Sequence, residues 1–207
     1  MIVSGQHEES ARTLSRGTCF LYVAPCAYED IAKVGFARDP LVRLHALHGR
    51  FYEFFDLDAG YLIETDSVRE ARTLETRLHR AIALHNAPAP LVIREQAGGF
   101  SEWFRGAGDP LAEQARLLAE EGFVHHASLR PWLRRRLLTQ SAALYAWTDK
   151  VIADLYQEAE NQGVPATSPT LRRVLLDALD AYVALDVDLA PLLPPEVLRW
   201  HQAGGRF

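Results

Sequence analysis

Residues 31–44 read IAKVGFARDPLVRL: an apolar run, a glycine, a turn, and then a helix carrying one arginine. Asp39 is a natural helix cap, and Pro40 suits the first helical position, where its missing N–H costs nothing. The helix is therefore predicted over Pro40–His48, with Leu41, Leu44, Leu47 and His48 recurring at the period of a buried face. Arg43 sits beside that face, so its guanidinium can reach back over the end of the preceding strand. Gly35 has no Cβ and lets a backbone or a ligand approach the strand closely. Taken alone, the stretch also describes a helix on a sheet edge with one snorkelling arginine, so its neighbours decide.

Upstream, Thr18–Ala24 (TCFLYVA) alternates and is rich in β-forming side chains, with Tyr22 near the end of the strand. A short connection over Pro25–Asp30 joins it to Ile31–Phe36 as an antiparallel hairpin. Downstream, Phe51–Thr65 (FYEFFDLDAGYLIET) reads as further strand, broken near Asp58-Ala59-Gly60. Asp66 or Ser67 caps a helix from Val68 to about His85, whose buried set is Val68, Ala71, Leu74, Leu78 and Ile82. Glu75 lies next to Leu74 and one turn before His79, with Arg72, Arg77 and Arg80 around them. A carboxylate there, looking across the sheet toward Tyr22 and Arg43, can hold a divalent cation. The plainer reading is a Glu–His or Glu–Arg pair on a helix surface. Residues 86–99 are rich in Pro and Gly around Leu91-Val92-Ile93, a loop with room for one short strand. Glu102-Trp103-Phe104 then closes the core, with Glu102 placed to cap, to brace an arginine, or to join the site.

From Asp109 the pattern is helical throughout. A helix runs from Asp109-Pro110 to before Gly122, a long one covers Ser128 to about Asn161 and stops at Gly163, another spans Thr170–Asp186, and a short one starts at Pro194-Pro195. Rows of Leu and Ala make helix–helix core. The arginines at 130, 134, 135 and 136 form either a solvated face or a nucleic-acid contact. The expected class is α+β, divided into a flexible N-terminus (1–17), a domain with a small antiparallel sheet flanked by helices (18–108) and an all-α region (109–207).

A hydrophobic content of 48% supports a real core. No secretory pattern opens the chain and no apolar run approaches the ~20 residues that span a bilayer, so a cytoplasmic protein without a membrane partner is expected. Cys19 and Cys26 are expected as buried thiols, and no paired Cys or His spacing suggests a structural metal. The net charge is −5, and neither half is basic, which argues against broad nonspecific binding of nucleic acid. A local patch stays open. Arginine outnumbers lysine twenty to two; a guanidinium suits phosphate, although GC-rich coding explains the bias equally well.

Phe20-Leu21-Tyr22-Val23, Lys33-Val34-Gly35, Arg43, Glu75 and Glu102-Trp103-Phe104, in this order and spacing, resemble the GIY-YIG nuclease superfamily. They look most like its phage-type branch, with a Lys-Ile-Gly second motif and a closing Glu-Trp-Phe. The resemblance covers about Thr18–Phe104. It implies a three-stranded antiparallel sheet flanked by helices and a metal-dependent endonuclease that hydrolyses DNA phosphodiester bonds. Tyr22 matches the tyrosine that assists in deprotonating the attacking water, Arg43 the arginine that stabilises the phosphorane-like transition state, and Glu75 the carboxylate that binds Mg²⁺ or Mn²⁺. Lys33 stands where the second motif usually has tyrosine, as in some restriction enzymes of the superfamily, and biases Tyr22 or the water toward the deprotonated form. The superfamily's terminal asparagine has no clear match. His45 and His79 are additional imidazoles for base duty or support, and Arg38, Arg72 and Glu102 are candidate substrate contacts. DNA is the expected partner, with single strands and RNA left open, and the helical region offers a route to a homodimer. Two other classes stay in view: a module that keeps the fold and binds nucleic acid without cutting it, and a helical protein–protein adaptor.

Overall fold

The computed structural model describes residues 16–93, 102–162 and 169–206. The chain divides into two compact units, 1–129 and 130–207. The expected frayed N-terminus falls on residues that lie outside the described ones, apart from the start of the first strand; so does the stop at Gly163.

In the first unit, β1 (Arg16–Pro25) pairs with β2 (Ile31–Ala37) as the predicted hairpin, and with β3 (Tyr61–Ser67) on its other side. Three two- or three-residue strands widen this frame: β4 (Asn86–Ala87), β5 (Trp103–Arg105) and β6 (His125–His126). The result is a six-stranded sheet in the order β4-β5-β2-β1-β3-β6, with every pairing antiparallel. It is wider than the three strands the resemblance implies.

The alternation of each strand sorts its side chains to two faces. Leu21, Val23, Val34, Tyr61, Ile63 and Phe104 share one face with Leu74, Leu78 and Ile82 of the following helix and with Leu111, Ala115 and Leu118 further on. That face is covered by α3 (Val68–Ala81) and α4 (Gly108–Glu120). Tyr22, Lys33, Gly35 and Trp103 belong to the other face by their register, Tyr22 opposite Gly35 and Lys33 opposite Trp103. There the sheet meets α1 (Pro40–Leu47) and α2 (Phe51–Phe54), with the Trp103 ring against Phe54 and Phe55 at 6.4 Å each.

The helix starts follow the local chemistry. The Asp39 carboxylate accepts from the N–H groups of Leu41 and Val42, with Pro40 at the first turn. Ser67 accepts from Glu70 N–H at the start of α3, while Glu70 reaches back to the Asp66 N–H at 2.9 Å. Cys19 and Cys26 are both buried free thiols.

The structure corrects three expectations and bears out two. Residues 51–54 are helical, not strand, because Phe51, Phe54 and Phe55 need one face and the Arg50–Glu53 pair at 2.5 Å favours a turn. The expected break near Asp58-Ala59-Gly60 is present: the Asp56 carboxylate accepts from Asp58 and Ala59 N–H in a tight turn, and the third strand begins at Tyr61. The short strand allowed for within residues 86–99 lies at Asn86–Ala87, and Leu91–Ile93 forms a turn. The predicted helix from Ser128 is two helices, α5 (Leu129–Leu138) and α6 (Ser141–Gln162), broken at Thr139-Gln140, where Thr139 caps back onto Arg136. Finally, the division falls after Leu129, not at 108/109, because α4 and β6 complete the sheet's core.

The second unit is all helical: α5 and α6, then α7 (Pro169–Ala184) and α8 (Pro195–Gln202). Leu133, Leu137, Leu155, Leu175, Leu179 and Val197 are buried. Tyr182 donates its hydroxyl to the Leu137 carbonyl at 3.2 Å, tying α7 to α5. No described helix is long and apolar enough to cross a membrane.

Candidate phosphodiester site

The centre of the site is the crossing of Tyr22 with Gly35. Tyr22 is 1% exposed, and its ring lies across β2 over Gly35. A Cβ at Gly35 would stand 2.6 Å from the tyrosine oxygen and 2.9 Å from Cζ, so only glycine leaves room for the phenol. Arg43, held on α1 by the Asp39 cap and the Pro40 start, brings its Nε to within 3.4 Å of that oxygen. The arginine thus reaches back over β2 as its place beside the buried face requires.

Two residues earlier on β2, Lys33 is fully buried and donates from Nζ to Glu102 Oε2 at 2.5 Å. Its ammonium also stands 5.8 Å from the Trp103 ring centre. Glu102 is held beside it by β5, where the Glu102 carbonyl accepts from Val34 N–H. So Glu102 braces a lysine, not an arginine. Burial pulls the Lys33 pKa down, and the carboxylate beside it opposes that pull.

Although α3 packs on the opposite face, Glu75 acts on the same electrostatic group. Burial pushes its pKa up to about 7, the Glu102 charge adds to the rise, and Lys33 and Arg72 oppose it. Among the described residues its carboxylate makes no hydrogen bond and no ion pair. Tyr22 is pushed up to about 12 by burial, with Arg43 pulling down and Glu102 and Glu75 pulling up. Arg43 therefore acts in the direction a tyrosine base needs, but desolvation outweighs it, and Tyr22 keeps its proton at neutral pH.

The other candidates divide into those near this group and those away from it. His79 packs its ring on Phe104 at 5.1 Å and bonds the Val34 backbone; burial lowers its pKa, with Glu102 opposing and Lys33 adding to the fall. It lies under the Lys33–Glu102 pair as a neutral imidazole. Arg72 lays its guanidinium over the Phe36 ring, 5.7 Å from its centre. Arg38 reaches the start of β1, where its Nη1 lies 3.6 Å from a Cβ built on Gly17 and its charge acts on the Cys19 thiol. His45 is different: it is exposed and meets Phe51 edge-on at 6.4 Å. Two residues along α1 from Arg43, it points to another side of the helix, and nothing brings it to Tyr22.

Sequence reasoning missed the Glu64–His126 pair, 3.1 Å apart, which borders Phe20 on the Tyr22 face. Its only sequence signal was the His125-His126 doublet, set in an apparent loop. A cavity of about 720 Å³ on the opposite face, floored by Val23, Ala32, Tyr61 and Phe104 beside α4, includes none of the candidate residues.

No described group of three or more His, Cys, Asp and Glu side chains is arranged to share an ion. An all-protein cage is thus not offered among the described residues. A single desolvated, unbonded carboxylate does fit a hard divalent cation that keeps waters and takes substrate oxygens, and Glu75 is such a group. Compared with family models, curated proteins and solved structures, the chain matches none.

Proposed function

We propose that the first unit is a metal-dependent endonuclease of GIY-YIG type that hydrolyses DNA phosphodiester bonds. The observation that carries this reading is the convergence on Gly35. A tyrosine hydroxyl fills the space of the missing side chain, a guanidinium stands 3.4 Å from it, and a carboxylate that makes no hydrogen bond among the described residues shares the same field. A scaffold has no packing reason to bury a tyrosine oxygen against an arginine and a lysine against a glutamate on one strand.

The roles follow from the charges. Arg43 holds negative charge on the nonbridging oxygens as it grows in the transition state, where a fixed cation contributes most. Tyr22, protonated, positions the attacking water through its hydroxyl. Lys33 anchors Glu102 beside the site, and Glu102, 30% exposed along its side chain, is the carboxylate placed to accept the water's proton. Glu75 would hold Mg²⁺ or Mn²⁺, which when bound supplies positive charge for the leaving oxygen.

The test is incubation with supercoiled plasmid and single-stranded DNA, with Mg²⁺ or Mn²⁺ and with chelator, alongside Glu75→Ala. Metal-dependent cutting that disappears in the variant is expected. Cutting that persists at full rate in Glu75→Ala removes Glu75 as the ligand. The elevated Tyr22 pKa favours a second reading, a module of this fold that binds nucleic acid without cutting it. That reading expects metal-independent, salt-sensitive binding and no product under any condition.

A further inference from the structure

The sheet face opposite Tyr22 carries a cavity that the Gly35 centre does not use. It measures about 720 Å³, within the range of about 300–1,000 Å³ that small-ligand clefts occupy. Four strands supply its floor through the buried side chains of Val23, Ala32, Tyr61 and Phe104. The space above that floor follows from side-chain size. Helix α4 buries Leu111 and Leu118 in the core, but toward the cavity it carries Ala112, Ala115 and Ala119 at three- and four-residue steps. Protein interiors are packed to crystal-like density, and longer side chains at these three positions would fill this volume. Ala112 and Ala119 are exposed, so the cavity opens to solvent along them.

Its charges sit at the mouth, not on the floor. Glu29 is paired with Arg105 at 2.9 Å, and Arg116 has its guanidinium divided between Glu113 and Glu120. Burial, with the neighbouring His126 adding to it, lowers the His125 pKa, so at neutral pH that ring brings no charge. Asp30 is left. Its backbone carbonyl accepts from Gly106 N–H at 3.2 Å, which holds the residue beside the start of α4. Among the described residues its carboxylate makes no hydrogen bond and no ion pair. Four carboxylates therefore face two guanidinium groups, and Asp30 is the one of the four with no cation beside it.

We infer that this cavity binds a small amphiphilic cation, an organic amine whose apolar body lies over Tyr61 and Phe104 and whose ammonium pairs with Asp30. An anion of the same shape would meet the unpaired carboxylate and two guanidinium groups that are already engaged. The inference rests on the cavity and its mouth, and it stands or falls separately from the reaction proposed at Gly35.

The test is displacement of an apolar dye from the full chain. N-phenyl-1-naphthylamine is uncharged and brightens in apolar surroundings. Decylamine, decanol and decanoate, each below its micelle concentration, then compete with it at pH 7, sharing one chain length and differing in head charge. Saturable dye binding is expected, with decylamine displacing it at a concentration about tenfold below that of decanol, as one charge-assisted contact contributes, and with decanoate the weakest. Asp30→Asn should bring decylamine to the level of decanol and leave decanol unchanged. Ala112→Trp and Ala119→Trp, both at exposed wall positions, should each abolish dye binding without lowering the melting temperature. Absence of saturable binding, of the dye or of decylamine by calorimetry, overturns the inference. So does dye binding undiminished in both tryptophan variants, displacement by decanoate equal to that by decylamine, or an advantage of decylamine that survives Asp30→Asn.

Discussion

Gly35 and Tyr22 compete for one volume, which makes Gly35→Ala a sharp probe of the site. The added methyl would stand 2.6 Å from the tyrosine oxygen, so the buried ring must shift or β2 must bend. Overpacking of this kind costs about 1–3 kcal/mol. We expect urea unfolding of Gly35→Ala to show that loss and the Tyr22–Arg43 contact to go with it, lowering any hydrolysis by at least tenfold. A variant of full stability and full activity would show that the ring has slack. The Lys33–Glu102 pair gives a second test. Glu102→Gln removes the carboxylate charge bonded to a buried ammonium, a loss that costs about 3–5 kcal/mol in a fully dry pair. Glu102 retains some water, so about 2 kcal/mol is expected here. Lys33→Met with Glu102→Gln should recover most of it, as measured by a double-mutant cycle in denaturant. Additive losses in the cycle would mean that the two side chains act separately.

Glu75 makes stability depend on pH in a direction opposite to an ordinary ion-paired carboxylate. Its folded-state pKa is raised from 4.5 to about 7, so between those values the folded state holds a proton that the unfolded state has lost. Stability is therefore present in full below about pH 4.5 and declines as pH rises toward 7. Denaturant unfolding from pH 5 to 8 should show this decline, Glu75→Gln should flatten it, and millimolar Mg²⁺ should reverse it in the parent protein alone. A decline unchanged by the substitution would place the titrating group elsewhere.

At the scale of elements, α1 carries Arg43, and its start rests on two residues that sequence rules identify directly. Asp39 accepts two backbone N–H bonds, so Asp39→Ala is expected to cost about 1 kcal/mol and to loosen Arg43 from Tyr22. Thermal melts read the first effect and turnover the second; a Tm drop with unchanged turnover would show that the rest of α1 suffices to position the arginine. What was legible in the sequence here was local: caps at Asp39 and Ser67, a glycine that permits close approach to β2, and the alternation of β1 and β2; that the Tyr22 ring takes that place was not. What was not legible depends on partners far along the chain. Residues 51–54 favour strand by their own propensities, and the buried aromatic face that includes Phe54 against Trp103 helps make a helix of them. The strands at 86–87 and 125–126 are two residues each and exist only because β5 and β3 offer them an edge. The partner of Lys33 lies 69 residues away, a pairing that no spacing rule contains.

At the scale of the whole chain, the limits of the first unit make a prediction about truncation. A cut after residue 108 follows the change in sequence pattern, yet it removes α4, whose Leu111, Ala115 and Leu118 are buried against the sheet. It also removes β6 from β3, and the Leu111 carbonyl that accepts the Tyr61 hydroxyl at 2.9 Å. Three buried side chains of this kind contribute several kcal/mol by area alone, at about 1.5–3 kcal/mol for a large apolar one, which is comparable to the total stability of a small domain. A cut after Leu129 keeps all of this. It also keeps Leu129 itself, which is buried beside Gly60 and donates its N–H to the carbonyls of Leu57 and Gly60. We therefore expect a 1–129 fragment to unfold cooperatively in urea and to give dispersed amide resonances, and a 1–108 fragment to do neither. A folded 1–108 fragment would mean that α4 is an addition to the sheet and not part of its core. A 1–129 fragment that fails to fold would mean that the helices after Arg130 supply stability to the first unit as well as to their own.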